Sequence, residues 1–468
     1  MKDLTQGPVG RQLVAVAVPI AVGMLFQTLY LVVDLYFVST LGPAVIAGVS
    51  TAATVSFVIL ALTQMLGVGT VALVSQAVGA KQPAEANVVF NQSVLLSAVC
   101  GALTLAAGFV AGGAYVRSIT ADPAAAAAGI AYLYWYTPGL ALQFALVAMG
   151  SALRGTGIVQ PTMVVQMLTV ILNALLAPVL ISGWGTHHPY GAAGAGLAST
   201  IAIAFGVALL WIYFARLEHY VALDRLLWRP RWGVIARILN VGLPAGGEFV
   251  MMFVILGIIY WVIRGFGPTA QAGFGIGGRV MQALFLPVVA IAFAVAPVAG
   301  QNFGARQYAR VRATLRVAAV MSSVLMLAIT LICQVRPEWF IRVFTSEPGV
   351  VAFGAPYLRI ISWNFVASGL IFVCSGVFQG LGNTWPSLAS SASRLLTFVL
   401  PVLLLSQQPH FAIAEVWYLS VASVTLQALT SLALLLRELR RKLATPAAAE
   451  AMAAARVDTP PGTKPARG

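Results

Sequence analysis

The stretch VSQAVGAKQ, residues 74–82, returns as AGQNFGARQ at residues 299–307, an offset of 225 positions. At the same offset toward the N-terminus, Pro19 pairs with Pro244, Gly42–Pro43 with Gly267–Pro268, and Ala47–Gly48 with Ala272–Gly273. In the other direction Gly129, Tyr132 and Leu133 pair with Gly354, Tyr357 and Leu358, while Gly155, Gly157 and Pro161 pair with Gly380, Gly382 and Pro386. No gap is needed between Pro19 and Pro161. Chance would scatter such identities over many offsets, so the chain is a duplication.

The duplicated unit is hydrophobic. Of 468 residues, 60% are hydrophobic and only 9% are charged, with a mean hydropathy of +0.91. Soluble domains carry about 25% charged residues, so that class is excluded. Twelve apolar stretches, each long enough to cross a bilayer as a helix, fall near 13–38, 45–76, 88–113, 125–152, 160–182, 192–215, 238–263, 270–299, 313–333, 350–379, 386–406 and 412–436. Alternation of period two is absent, which argues against a β-barrel. The fold class is an all-α integral membrane protein with twelve transmembrane helices in two pseudo-symmetric six-helix bundles. Six is even, so both halves insert the same way up, as a parallel repeat about an axis along the membrane normal. The expected organisation is an N-terminal segment 1–12, an N-lobe 13–215, a linker 216–237, a C-lobe 238–436 and a basic, disordered tail 437–468. Such halves suit alternating access, in which one bundle rocks against the other.

Charge sets the orientation. Of 27 Lys and Arg, 20 fall on the side of the termini and the linker, and only Arg117, Arg264, Arg336 and Arg342 on the other. By the positive-inside rule both termini are expected in the cytoplasm. The formal charge of +14 is therefore membrane topology, and no nucleic-acid partner is expected. The opening MKDLTQGPVGRQ lacks the apolar core and cleavage site of a signal peptide. Cys100, Cys333 and Cys374 all fall inside spans and read as small apolar residues.

The chain resembles the multidrug and toxic compound extrusion (MATE) transporters over about residues 10–440. The likeness rests on VAVPIAVGMLFQTLYLVVDLYFVSTLGPAVIAGVS, on VSQAVGAK with its copy AGQNFGAR, on RGTGIVQPTM with QGLGNTWPS, and on VGLPAG opening the second half. The resemblance implies antiport, in which a proton or sodium ion moves inward while an organic, often cationic compound moves out. It also implies a coupling acid fifteen residues after the first-helix proline, which is Asp34 after Pro19, and a glutamine eight residues after it, Gln27. In the fifth helix Asn173 and Pro178 match the family pattern, but Ala177 stands where an aspartate is often found. In the seventh, Met252 occupies a position where some members carry an acid, with Glu248 one turn earlier. Ser368 lies near the place of an acid that sodium-coupled members carry in the tenth helix. These departures favour a proton over sodium as the coupling ion.

The residues make their own case for Asp34. An aspartate at a helix centre costs about +2.5 to +3.5 kcal/mol on the insertion scale, so an intramembrane acid signals function. Gln27, Tyr30 and Asp34 share one helical face by their spacing, and Asn173 can complete a polar network from the fifth helix. A carboxyl there can bind and release a proton as its access switches. Pro19 lacks a backbone donor and is a candidate hinge in the same helix. Glu248, Met252, Tyr260, Arg279 and Arg394 are substrate-cavity candidates. Arg279 or Arg394 can pair with Glu248, and Glu248 can alternatively be an acid near a helix N-terminus, where the dipole favours it. His187–His188 lack companion ligands, so no metal is expected. Phosphate-binding and zinc signatures are absent, and the protein is expected to be no enzyme and to need no cofactor beyond H+ (or Na+).

These readings converge on a proton-coupled multidrug exporter in a bacterial inner membrane, acting as a monomer in the lipid bilayer on small organic cations. The alternative is a flippase for lipid-linked oligosaccharides or lipids, which would need a strongly cationic cavity.

Overall fold

A computed structural model describes residues 2–185, 187–218, 220–408 and 411–443. The first half holds α1 (Val9–Ser39), α2 (Pro43–Gly79, interrupted at Thr54), α3 (Pro83–Ile119), α4 (Pro123–Gly155), α5 (Gln160–Ser182) and α6 (Gly191–Arg216). The second holds α7 (Trp232–Ile263), α8 (Pro268–Gly304), α9 (Tyr308–Val335), α10, α11 (Trp385–Leu405) and α12 (Ile413–Lys442). Helix α10 is a pair, Pro348–Ile361 and Asn364–Gly380, bent by 57°. With that pair taken as one span, up to twelve spans are long and apolar enough to cross a membrane, as the sequence predicts.

The repeat is visible in the helix starts. Pro43 and Pro268, Pro83 and Tyr308, Pro123 and Pro348, and Gln160 and Trp385 each open a helix 225 residues apart. Backbone constraint explains the register. Gly42 (φ 98°) and Gly267 (φ 89°) adopt conformations closed to other residues, and each hands over to a proline whose fixed φ suits a first helical turn. Lys81 and Arg306 both have φ 58°, an unusual value for residues with a Cβ. In each copy this left-handed turn ends the helix, and the next amide bonds back to a carbonyl five residues earlier: Gln82 N to Ala77 O and Gln307 N to Asn302 O, both at 2.9 Å.

Three boundaries differ from expectation. Helix α7 begins at Trp232, so the linker ends before residue 237; its opening WGVIA is apolar, but Arg231 and Arg237 on either side of it gave the stretch the look of the basic linker. The N-terminal segment ends at Pro8, where α1 begins a turn earlier than residue 13. Helix α12 runs through its arginines to Lys442, where cations complement the helix dipole, instead of ending at 436. The part of the expected tail from residue 444 on lies outside the described residues.

The two lobes meet where α1 packs on α8, and α2 on both α7 and α8. Every residue of α2 from Met65 to Ser75, and of α8 from Ala294 to Asn302, is buried. A helix can be covered all round only if the other lobe supplies the missing side. Both stretches lie in the half of the bundle nearer the chain's N-terminus, the linker and the end of α12, called here the basic end. Toward the opposite end the same helices come into the open, with Phe57 50% and Val58 61% exposed. The molecule is sealed at its basic end.

Small residues make the seal possible. A Cβ on Gly79 would collide with Gln301 O, and one on its twin Gly304 with Gln76 O. Close backbone approach across the lobes therefore requires glycine at both places.

Candidate functional site

The buried polar pocket of the N-lobe is built around α1. Asp34 lies five residues before the end of that helix, at the end opposite the basic one. One carboxyl oxygen, Oδ1, is buried and has no hydrogen-bond partner among the described residues. Tyr30, one turn earlier, accepts a 3.3 Å hydrogen bond from Asn173 Nδ2 of α5. Asn173 is fully buried, and its own Oδ1 is likewise unpartnered among the described residues. The structure thus brings together Tyr30 and Asn173, with Asp34 within electrostatic reach of Tyr30. Ala177, one turn along α5, is also fully buried.

Four further groups complete the pocket. Tyr132 and Tyr136 of α4 lie within electrostatic reach of Asp34, with their rings 5.2 Å apart. Ser199 of α6 sits beside the Tyr30 hydroxyl and Ser56 of α2 beside that of Tyr136. Sequence reasoning picked Tyr132 only as a repeat marker and missed the rest. The available signal was the i, i+4 spacing of Tyr132 and Tyr136, which places both on one helix face. Gln27 is a departure. It shares the face of Asp34 by spacing, yet it is exposed and makes no hydrogen bond among the described residues, although α5 packs on α1 at Gly23, one turn further on.

Unpaired buried acceptors are costly, at about 1–3 kcal/mol each and more when charged. Two such oxygens in one pocket, Asp34 Oδ1 and Asn173 Oδ1, form a place that a proton or small cation would satisfy. Among the described residues no cluster of three or more His, Cys, Asp and Glu exists, and His187 and His188 are exposed.

The C-lobe is furnished differently. Glu248 lies in the middle of α7, because that helix starts at Trp232, so the alternative of an acid near a helix N-terminus does not hold. Its Oε2 accepts from Ser375 Oγ of α10 at 3.5 Å, Ser387 of α11 lies alongside, and its Oε1 is buried without a partner among the described residues. No ion pair joins it to Arg279 or Arg394 among the described residues: Arg279 is exposed, and Arg394 lies next to Tyr357 with its Nε buried and unpartnered. A turn of π-helix, Leu395–Val399, follows Arg394. Such turns are frequent at functional sites. Tyr260 stands at the edge of an aromatic cluster in which Phe274, Tyr357 and Trp417 pack at centroid distances of 4.7–5.6 Å. Met252 is half-exposed on α7, and Pro19 lies inside an unbroken α1. Tyr132 and Tyr357 are repeat twins, so each lobe places the same tyrosine beside an ionisable group: a carboxyl in one and a guanidinium in the other.

Two parallel six-helix lobes, sealed at one end and each enclosing buried polar groups without partners among the described residues, define a duplicated bundle of membrane-spanning helices. The model of the MatE family matches this chain twice, at residues 19–179 and 244–404, again 225 apart. The chain belongs to the MatE family. It is 29% identical to the "Probable multidrug resistance protein YpnP" of Bacillus subtilis (strain 168), over 81% of this chain and 84% of that one. It is 24% identical to the "FAD transporter" of Shewanella oneidensis, over 86% and 90%. A structure described as the outward-facing conformation of a multidrug resistance MATE family transporter superimposes with a TM-score of 0.87 at 23% identity, over 94% of this chain and 98% of that one.

Proposed function

We propose that the protein is a secondary-active exporter that moves small organic, mainly cationic or amphipathic compounds out of a bacterial cell by antiport, with a proton as coupling ion. The single observation that carries the coupling role is the Asp34 carboxyl, buried among Tyr30, Tyr132, Tyr136 and Asn173 with an oxygen left unpaired. One carboxyl suffices to hold a proton, whereas sodium needs a full shell of oxygens, and Ala177 supplies none. The name of the Bacillus subtilis relative supports multidrug export, while that of the Shewanella oneidensis relative names FAD as cargo. The lysine and arginine distribution supports a basic end in the cytoplasm.

In this reading the sealed basic end makes the present state outward-facing. The Asp34 pocket, close to the opposite end, takes a proton from outside. Its neutralisation removes the demand for donors, the polar face of α1 repacks against α4 and α5, and a bound cation is released. Reopening at the basic end lets the proton leave to the cytoplasm. Pro19, eleven residues before Tyr30 and fifteen before Asp34 on the side of the basic end, is the proposed hinge, and Glu248, Met252, Tyr260, Arg279 and Arg394 line the proposed route of the substrate on the C-lobe side.

Ethidium efflux in vesicles under an imposed pH gradient, and separately under a sodium gradient, tests this. The pH gradient alone is expected to drive transport, and Asp34→Asn is expected to abolish coupling at normal expression. Uphill efflux by Asp34→Asn would refute the role of the acid; drive by sodium alone would refute the proton.

A further inference from the structure

The duplicated VSQAVGAKQ and AGQNFGARQ stretches lie across the seal from one another, and their glutamines make a matched pair of bonds. Gln76 Nε2 donates to Gly380 O of the other lobe at 2.8 Å, and its twin Gln301 donates to Gly155 O at 3.0 Å. Gly155 and Gly380 are themselves twins. A second pair follows the same rule: Glu85 of α3 binds Arg237 of α7 at 2.9 Å, and Arg310 of α9, the twin of Glu85, binds Gln12 of α1, the twin of Arg237, at 3.2 Å. The basic end is thus closed by a two-fold set of contacts.

One element breaks the symmetry. The segment before α1 lies across both lobes. On the N-lobe side Lys2 N donates to Thr156 O at 3.0 Å, and Gly157, at φ 80°, passes so close that a Cβ there would press on Lys2 O and the Leu4 side chain. On the C-lobe side Leu4 N donates to Gln301 Oε1 at 2.9 Å and Leu4 O accepts from Asn302 Nδ2 at 3.1 Å. Arg310 donates to Gly7 O at 2.9 Å while its Nε holds Asn302 Oδ1 at 2.8 Å. The Leu4 side chain is fully buried, in a cluster that joins Val159 of the N-lobe to Val298, Val377 and Leu381 of the C-lobe. Asp3 adds charge, with Lys81 of the N-lobe and Arg310 of the C-lobe both attracting it.

The segment before α7 is treated reciprocally. Asn91 and Gln92 of α3, in the N-lobe, hold the backbone at Ala222, Leu227, Arg229 and Arg231, at 2.6–2.9 Å. Each lobe therefore grips the leader of the other.

We propose that residues 2–7 are a releasable latch on the gate at the basic end. Docked, they bridge Thr156 of one lobe to Gln301, Asn302 and Arg310 of the other and hold the lobes together; they must lift off the C-lobe before that end opens. Gln301 is the point of coupling, because its amide oxygen reads the latch while its nitrogen clasps the N-lobe. The lobes cannot part with Leu4 seated, since its side chain fills space shared by both. This rests on the alternating-access reading above, but its test needs neither substrate nor coupling ion.

Ala84 and Ala309 are exposed repeat twins in the first turns of α3 and α9, one on each lobe at the basic end. In a chain with Cys100, Cys333 and Cys374 replaced by Ala, spin labels at Ala84→Cys and Ala309→Cys report the gap by pulsed electron resonance. The intact leader is expected to give one predominant short distance. Deletion of residues 2–7, Leu4→Asp and Arg310→Ala should each raise the proportion of a longer distance by about tenfold or more, in monodisperse protein. If the deletion does not give monodisperse protein, the two point variants decide. Unchanged distances in both leader variants would overturn the latch, and so would a change confined to Arg310→Ala, which would assign the effect to Arg310 itself.

Discussion

Gln76 and Gln301 are twins in sequence and in the bonds they make across the seal, yet they should differ in what they hold. Gln76 is half-buried and contributes one cross-lobe bond, to Gly380 O. Gln301 is 1% exposed and makes two, donating to Gly155 O and accepting from Leu4 N. A neutral hydrogen bond contributes about 0.5–1.5 kcal/mol net, and a buried donor left without an acceptor costs about 1–3 kcal/mol. Gln76→Ala should thus cost the sealed state about 1 kcal/mol. Gln301→Ala, which also strands the Leu4 amide, should cost about 2–3 kcal/mol. With about 1.4 kcal/mol per factor of ten, the odds of an open basic end rise about fivefold in the first variant and on the order of a hundredfold in the second. The spin-label pair at Ala84 and Ala309 measures those odds directly. Equal shifts for the two variants, or a larger one for Gln76→Ala, would refute the unequal roles assigned here.

The Asp122 side chain caps α4 by accepting from Ala124 N at 3.1 Å and Ala125 N at 3.3 Å, whereas its twin Glu347 makes no capping bond to α10. Asp122→Ala should cost about 0.5–2 kcal/mol and lower the melting temperature by a few degrees, with Glu347→Ala close to silent. Reversal of that order would show the caps to be irrelevant. The Asp3 carboxyl is held below its ordinary range, first by its hydrogen bond from Thr5 and further by Lys81 and Arg310. A lowered folded value means that its contribution is complete above the unfolded pKa and is lost only as pH falls through the folded one. Thr5 belongs to the leader itself, so docking is linked to pH only through Lys81 and Arg310, and it should be constant from about pH 8 to about pH 5 and weaken only below about pH 4. A spin-label distance that changes near neutrality would reject Asp3 as the titrating group.

Much of the architecture was legible because it is set locally. Prolines at first helical turns and glycines at positive φ leave the same mark in both halves, so an offset read from Gly42–Pro43 and Gly267–Pro268 also places helix starts. Asp34 stood out because a lone acid in an apolar helix has few inexpensive explanations. What the sequence hid depends on partners far along the chain. Helical spacing puts Gln27 on the face of Asp34 but does not tell which members of that face are left exposed. Opposite charge offered Arg279 or Arg394 as a partner for Glu248, yet Ser375 and Ser387 stand beside the acid, Arg279 is exposed and Tyr357 stands beside Arg394. Leu4 reads as an ordinary residue in a polar start, and only the contact between lobes buries it. Asn91 and Gln92 sit in an apolar span with no local hint that they hold a strand of chain more than 130 residues away.

The crossed grip of each half on the other's leader bears on how such a molecule came to be one chain. Two identical six-helix subunits, each reaching a short arm onto its neighbour, would already form an arm-exchanged dimer. Joining them required only that the end of one subunit meet the arm of the next, and an even number of spans leaves both on the same face of the membrane. The linker segment at residues 222–231 and the segment holding Leu4 are the two arms of that arrangement, each lying on the other half.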